Sequence, residues 1–384
     1  MPDLTAQQVK EPKGNAFKAW LLKLVPVKPE EWGLVLSLAL LLAINSTVLE
    51  LSDVVATSGF VSNAGPTQLP WLWLLDMIIT LVLTGAYTLI VDRVARIRLV
   101  AILIAIVAVL YLVILVMFRL GAPDWFNYLL LYILTDQQWI IFPLAFWALA
   151  NDIYTMAQTK RLFPVIGAGY AIGSLMGNLL AVGSAVFLTQ RGISSSSLLV
   201  VGVMMFMVGL VVLWLTFRKR VVRARQSREE EVNIREMFQV GVDFFQNVPL
   251  FRWLAIVILL AQLSLTIIRY HFLFTIDQTF ISDLQFQAFY GGYNAAFIIV
   301  TLLFQGLVTS RILSTMKLKD TFFALPATLL VAVGSAVFIA GMVGASAGAF
   351  LAWVTERVWD EPVRKSVQGL VPDERRGRVS AFLD

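Results

Sequence analysis

Ten long apolar runs, spread along almost the whole chain, constrain its fold more than any other feature. A helix that crosses a bilayer needs about 20 mostly apolar residues, and ten segments approach that length. With approximate ends, these segments are Trp32–Leu51, Trp71–Val91, Leu99–Phe118, Trp125–Ala150, Phe163–Leu188, Ser196–Phe217, Trp253–Thr275, Phe286–Thr309, Thr321–Val343 and Ala345–Trp359. The sequence therefore predicts an all-α polytopic membrane protein.

The composition excludes the common soluble classes. Charged side chains make up 14% of the residues and hydrophobic ones 59%, whereas soluble domains average about 25% charged. The absence of cysteine excludes thiol catalysis, disulfides and Cys-ligated zinc, and a single histidine, His271, argues against a catalytic triad. We expect no enzymatic activity, no metal and no cofactor.

The basic residues predict the orientation of the spans. Of the 30 lysines and arginines, all but Arg119, Arg191 and Arg269 fall on segments that share a side with the N-terminus. This is the positive-inside pattern, and it predicts a cytoplasmic N-terminus. The net charge of +5 then reflects topology and attraction to anionic lipids, so membrane lipids are expected partners and nucleic acid is not.

Polar segments divide the chain into four parts. Residues 1–31 form a cytoplasmic amphipathic segment, 32–217 a six-span half, 218–250 a cytoplasmic linker, and 251–384 a second half. In the linker, Ile234, Phe238, Val242 and Phe245 recur at helical spacing, which favours a helix on the membrane surface over a plain charged linker. The two halves echo each other as pseudo-repeats, and two six-span repeats would need twelve spans. The second half is therefore predicted to be incomplete.

Polar side chains within the spans are the candidate site. A charge at mid-bilayer costs about 2.5–3.5 kcal/mol, so such residues usually face the bundle interior. The polar stripes are Asn45, Ser46, Glu50 and Asp53 on span one, Asp76, Thr80 and Thr84 on span two, Asp136, Gln137 and Gln138 on span four, and Gln262, Thr266 and Arg269 on span seven. We expect substrate binding by Arg269, Glu50, Asp136, Gln262 and Asn45.

Arg269 is the residue best suited to an anion. A guanidinium grips phosphate or carboxylate with two parallel hydrogen bonds, and in an empty cavity it would pair with Glu50 or Asp136; the alternative is that it snorkels to the interface. Glu50 is either a proton-coupling carboxylate or an end residue in water. Asp53 and Asp76, near span ends, are interpreted as solvated or helix-capping.

Small residues at a spacing of four predict close helix contacts. Such stripes run through Gly169, Gly173 and Gly177 on span five, and through Gly344, Gly348 and Ala352 on span ten.

Residues 92–98, DRVARIR, join spans two and three and resemble the loop signature of the major facilitator superfamily. The resemblance implies a charge latch that includes Asp92, Arg93 and Arg96. The alternative is a positive-inside anchor with a local Asp92–Arg96 pair.

Residues 146–152, FWALAND, and 160–169, KRLFPVIGAG, resemble a stretch of the ATP/ADP translocase family, nucleotide transporters that share the major-facilitator architecture. Free-living bacteria have relatives of this kind, some with regulatory domains after the last span, so the resemblance implies a location in the bacterial inner (plasma) membrane. The resemblance implies an alternating-access transporter of nucleotides or related phosphorylated anions. Gating or coupling would then involve Asp152, Lys160, Arg161 and Glu356.

Two alternatives remain open. The acidic stripes favour a proton-coupled transporter of another small solute. A non-transporting membrane sensor, or an anchor for a C-terminal regulatory domain, would need no substrate pathway.

Overall fold

The protein is described from a computed structural model, which covers residues 27–91, 94–191, 195–218, 249–305 and 322–368. Every regular element in these ranges is helical. The main helices are α1 (Trp32–Ala64), α2 (Leu69–Val91), α3 (Arg96–Arg119), α4 (Asp124–Ile153), α5 (Met156–Arg191), α6 (Leu199–Phe217), α7 (Pro249–Thr279), α8 (Asp283–Phe304), α9 (Ala324–Phe338), α10 (Met342–Thr355) and α11 (Glu361–Gln368). A π-helical turn, Glu356–Asp360, joins α10 to α11.

The first ten helices coincide with the ten predicted spans, which confirms the all-helical membrane fold class. In the described ranges, eight helical segments are long and apolar enough to cross a membrane. The exceptions are α9 and α10, which are shorter. Segments 1–26, 219–248 and 369–384 lie outside the described residues, and with them most of the predicted N-terminal segment, the linker and the end of the second half.

The predicted boundaries are wrong in two informative places. Helix α1 continues to Ala64 rather than ending near Leu51, so Glu50 and Asp53 lie inside it and not at its end. The ninth span, predicted to run to Val343, breaks after Phe338. Gly341 there has a φ of +80°, a conformation that favours glycine because a side chain would clash.

Helix α1 is the centre of the first six helices. It packs against α4, α5 and α6, and its middle turns are buried almost completely. A Cβ added at Gly169, Gly173 or Gly177 of α5 would meet the backbone oxygen of Ala39, Ala43 or Thr47 of α1. The predicted small-residue contact is therefore confirmed, and its partner is α1.

The second stripe of small residues, on α10, packs against the neighbouring helix α9. A Cβ at Gly344 or Gly348 of α10 would clash with the carbonyl oxygens of Ser335 and Ala332 on α9. The Ser335 hydroxyl also donates to the Gly344 carbonyl over 3.1 Å. Helices α9 and α10 thus form a tight antiparallel pair.

Candidate functional site

A cavity of about 830 Å³ lies between helices α1–α6 and helices α7–α11. We call these two sets of helices the first half and the second half. The first half lines the cavity with Glu50, Trp139 and Tyr170, among others. The second half contributes Arg269, Tyr290, Asn294, Phe297, Trp353, Glu356, Arg357 and Glu361. A space of this size fits the range of about 300–1,000 Å³ typical of small-molecule sites.

Arg269 lies on the cavity wall, where its guanidinium carbon stands 5.8 Å from the centre of the Trp73 ring. The Trp73 indole in turn donates to the Tyr132 hydroxyl over 2.9 Å. Asp53 and Asp136 are near enough to interact with Arg269 electrostatically. None of the carboxylates in the described ranges comes within ion-pair distance of it, so the guanidinium keeps hydrogen-bonding capacity for a ligand.

Glu50 and Glu356 line the cavity but are held by neighbours on their own half. Glu50 accepts a hydrogen bond of 2.9 Å from the Asn178 amide of α5. Glu356 accepts one of 2.9 Å from Gln262. Neither pairs with Arg269, whereas Arg357, the second arginine on the cavity wall, pairs with Glu361 at 2.9 Å.

Asn45 lies in a separate buried network within the first half. It is 1% exposed, and its side-chain oxygen accepts from Gln138 over 3.0 Å. Gln138 also accepts from the Tyr111 hydroxyl over 3.1 Å. Asn45 and Gln262 do not line the cavity. Of the five predicted binding residues, Arg269 and Glu50 lie on its wall, and Asp136 is near enough to interact electrostatically with Arg269.

Asp76 is not a solvated end residue, and that interpretation was wrong. Its side chain is 7% exposed, and it accepts a hydrogen bond of 3.1 Å from Gln137 of α4. Asp136 of α4 lies near enough to interact with it electrostatically. Asp76 lies on the face of α2 that packs against α4 and not in water. Its position near the predicted end of a span gave no indication of this direction.

Two ion pairs join helix ends on the side where α1 begins, which we call the N-terminal side. Arg161 of α5 binds Glu31 at 2.6 Å, and Arg96 of α3 lies 3.7 Å from Asp152 at the end of α4. The hydrogen bond from Arg161, followed by one from the Lys28 backbone, lowers the pKa of Glu31 to about 2.

Of the predicted latch residues not yet placed, Lys160 alone lies in the described ranges. Lys160 is exposed in the first turns of α5, and Asp92 and Arg93 lie outside the described residues. The pairing of Arg96 with Asp152 links the two motifs that the sequence singled out separately.

On the opposite side, which we call the far side, the two halves are closed against each other. The Gln287 side chain of α8 is fully buried and donates to the Ala181 carbonyl of α5 over 2.9 Å. Ser195 donates to Asp283 over 3.4 Å, and a Cβ at Gly291 would press on Asn178. The cavity lining, in contrast, extends to the ends of α8 and α10 on the N-terminal side.

The aromatic lining is what sequence reasoning missed. None of the five predicted binding residues is aromatic, yet Trp139, Tyr170, Tyr290 and Trp353 line the cavity. Trp139 follows the polar run from Asp136 to Gln138 on a cavity helix, and that proximity is a usable signal. Nothing in the sequence marks Tyr290.

Comparison with known proteins decides the family. The model of the family described as TLC ATP/ADP transporter matches residues 114–355. This chain belongs to that family. Membership and fold make it a multi-pass membrane transporter rather than an enzyme, and they support transport over a sensor or anchor role. No curated protein sequence matches the chain.

Solved transporters share the fold of this family member. A mutant of the nucleoside transporter NupG is 16% identical, with a TM-score of 0.65 over 91% of this chain and 86% of its own. A bacterial homologue of the human lysosomal transporter Spinster, inward-facing and unoccupied, is 15% identical, with a TM-score of 0.52 over 93% of this chain and 79% of its own. At these identities the likeness shows the major-facilitator-like fold alone.

Proposed function

We propose that this protein transports nucleotides of the ATP and ADP type, or related phosphorylated anions, by alternating access. The observation that carries the proposal is the cavity between the halves, which combines an arginine free of ion pairs among the described residues with an aromatic lining. Arg269 would bind phosphate oxygens through two parallel hydrogen bonds. Family membership supports the substrate class.

The aromatic residues would hold the base. Nucleobases stack on aromatic side chains, which contributes about 1–3 kcal/mol per base. Trp139 and Trp353 both line the cavity, from the first and the second half. A base stacked on Trp139, with phosphates bound at Arg269, would contact both halves, as a substrate that triggers alternation must.

In the membrane we propose a cytoplasmic N-terminus in a bacterial inner membrane. The bias of basic residues supports this orientation. The N-terminal side, towards which the cavity lining extends, would then be the cytoplasm, and the conformation would be inward-facing.

The test is exchange of radiolabelled ATP against ADP in proteoliposomes. A hydrogen bond to a charged group contributes about 1.5–3 kcal/mol, so Arg269→Gln should lower kcat/KM about 10- to 100-fold. Arg269→Lys should also be impaired, because an ammonium group lacks the planar fork. Arg191→Gln, which alters an exposed arginine at the end of α5, is the matched control. Wild-type exchange by both Arg269 variants, or no exchange by the wild type, would contradict the proposal.

Base stacking is tested at Trp139. Trp353 packs against Phe272 and Tyr293, so its removal would also disturb the fold, whereas Trp139 is 51% exposed. We expect Trp139→Leu to weaken ATP binding about tenfold or more and to leave pyrophosphate binding unchanged, as measured by calorimetry. Equal losses for both ligands would assign Trp139 a role other than stacking.

A further inference from the structure

A second arginine, Arg357, lies on the cavity wall towards the N-terminal side. It belongs to the π-helical turn between α10 and α11, and its side chain is 46% exposed. Gln305, directly after α8, donates a hydrogen bond of 3.4 Å to the backbone carbonyl of Arg357. Turns of π-helix are rare and occur frequently at functional sites. The Arg357 side chain is therefore accessible from the cavity, and its backbone is held in place by a neighbouring helix.

Arg269 and Arg357 lie at different depths in the cavity. Gln262 precedes Arg269 by two helical turns on α7, which corresponds to about 10 Å along the helix axis. The Gln262 side chain donates to Glu356, the residue next to Arg357, over 2.9 Å. The cavity thus has one guanidinium deep between the halves and another nearer its mouth on the N-terminal side.

The Arg357 side chain is paired with a carboxylate that lines the same cavity. Its guanidinium lies 2.9 Å from Glu361, and the two side chains are 46% and 40% exposed. An exposed pair at this spacing on a helix is weak, because water screens the attraction. A phosphate group carries more negative charge than a carboxylate and can accept two parallel hydrogen bonds from a guanidinium. A phosphate in the cavity can therefore displace Glu361 from Arg357.

The neighbouring ion pair has a different environment. Arg364 binds Asp360 at 2.7 Å, and these side chains are only 16% and 11% exposed. Neither of them lines the cavity. Arg364 and Asp360 thus stabilise the turn and α11 from within, whereas Arg357 and Glu361 present their charges to the cavity.

We propose that Arg357 is a second anion-binding residue of the cavity and that Glu361 occupies it until a substrate displaces it. The inference rests on the proposed function and restricts its substrates to anions with two or more phosphate groups. One end of the phosphate chain binds Arg269 and the other binds Arg357. A monophosphate binds Arg269 alone, because that guanidinium needs no carboxylate to be displaced.

Calorimetry on the purified full chain tests Arg357 with ligands that differ in the number of phosphates. We expect Arg357→Gln to weaken ADP binding about tenfold or more, because a charged hydrogen-bond donor is lost. AMP binding should stay unchanged, and Arg357→Lys should recover part of the ADP affinity. Arg98→Gln, which alters an exposed arginine on the N-terminal side but off the cavity wall, is the control. Unchanged ADP binding in Arg357→Gln, or equal losses for ADP and AMP, would overturn the role of Arg357.

Glu361→Gln tests the competition for Arg357. Removing a weak exposed partner should tighten ADP binding about two- to threefold. The gain should vanish when Arg357→Gln is present as well, because Glu361 then has no guanidinium to occupy. Glu30→Gln, at an exposed glutamate on the same side, controls for the general change in charge. No gain, or the same gain with and without Arg357, would refute the competition.

Inorganic pyrophosphate and phosphate separate this inference from the proposed function, since neither contains a base. Arg357→Gln should weaken the binding of pyrophosphate about as much as that of ADP and leave phosphate binding unchanged. A wild type that shows this pattern but binds no nucleotide would contradict the proposed substrate and support the two-arginine site. A wild type that binds neither pyrophosphate nor nucleotides would overturn both.

Discussion

At the scale of single residues, a carboxyl group has a different role depending on the groups that surround it. Glu31, at the surface, is paired with Arg161 and remains ionised, with its pKa lowered to about 2. Asp76, in the interior, accepts a hydrogen bond from the buried Gln137 amide instead. Position along the chain does not distinguish these cases, because both residues lie near the predicted start of a span.

The Glu31–Arg161 pair should stabilise the protein in a pH-dependent way. A carboxyl group whose pKa is lowered on folding stabilises fully above its ordinary pKa of 4.5. That contribution is lost as the pH falls through about 2. We expect Glu31→Gln to melt at a slightly lower temperature than the wild type near neutral pH.

The difference in melting temperature should shrink as the solution is acidified below the ordinary carboxyl pKa. Glu30→Gln, at the exposed neighbouring position, is the control and should melt like the wild type throughout. A difference for Glu31→Gln that is constant with pH would rule out the ion pair as its cause.

At the scale of helices, small residues decide which surfaces approach most closely. The stripe on α5 allows its backbone to touch that of α1, and the stripe on α10 does the same against α9. Both stripes could be read from spacing alone. Their partners could not, since periodicity shows which face is small and not which helix lies opposite.

Gly173→Val should loosen the contact between α5 and α1. The new side chain would meet the Ala43 carbonyl and the Ser46 hydroxyl, and overpacking of this kind costs about 1–3 kcal/mol. Gly183→Val is the control on the same helix, because a Cβ there meets nothing within 4 Å. Thermal unfolding in detergent should show a lower melting temperature for the first variant only, and equal melting of both would contradict the close contact.

At the scale of the whole molecule, the two halves meet on the far side and leave their cavity between them. Buried Gln287 and the close approach of Gly291 to Asn178 hold α8 against α5. Under the proposed alternating access these contacts would open for a substrate to pass, and their strength would set the balance between the two conformations.

Gly291→Val should shift this balance towards a far-side-open state by about 1–3 kcal/mol. A Cβ at Gly291 lies 3.2 Å from the Asn178 oxygen, whereas one at Gly292 meets only Val182 at 3.9 Å. Because the chain has no cysteine, Asn294→Cys provides a single label site on the cavity wall. An impermeant maleimide added from the far side should label it faster with Gly291→Val than with Gly292→Val. Equal rates would show that this contact does not hold the gate.

The sequence by itself determined the membrane fold, the positions of ten helices and the motifs that led to the family. These follow from composition and local periodicity, which act along the chain within a few turns. It also supplied Arg269, Glu50 and Glu356 of the cavity wall, but not Asn294, Arg357 or Glu361. The tertiary structure decided how the polar residues group: Asn45 with Gln138, Glu50 with Asn178, and Asp76 with Gln137. That grouping depends on the rotation and packing of each helix against its neighbours, which contacts between residues far apart in the chain establish.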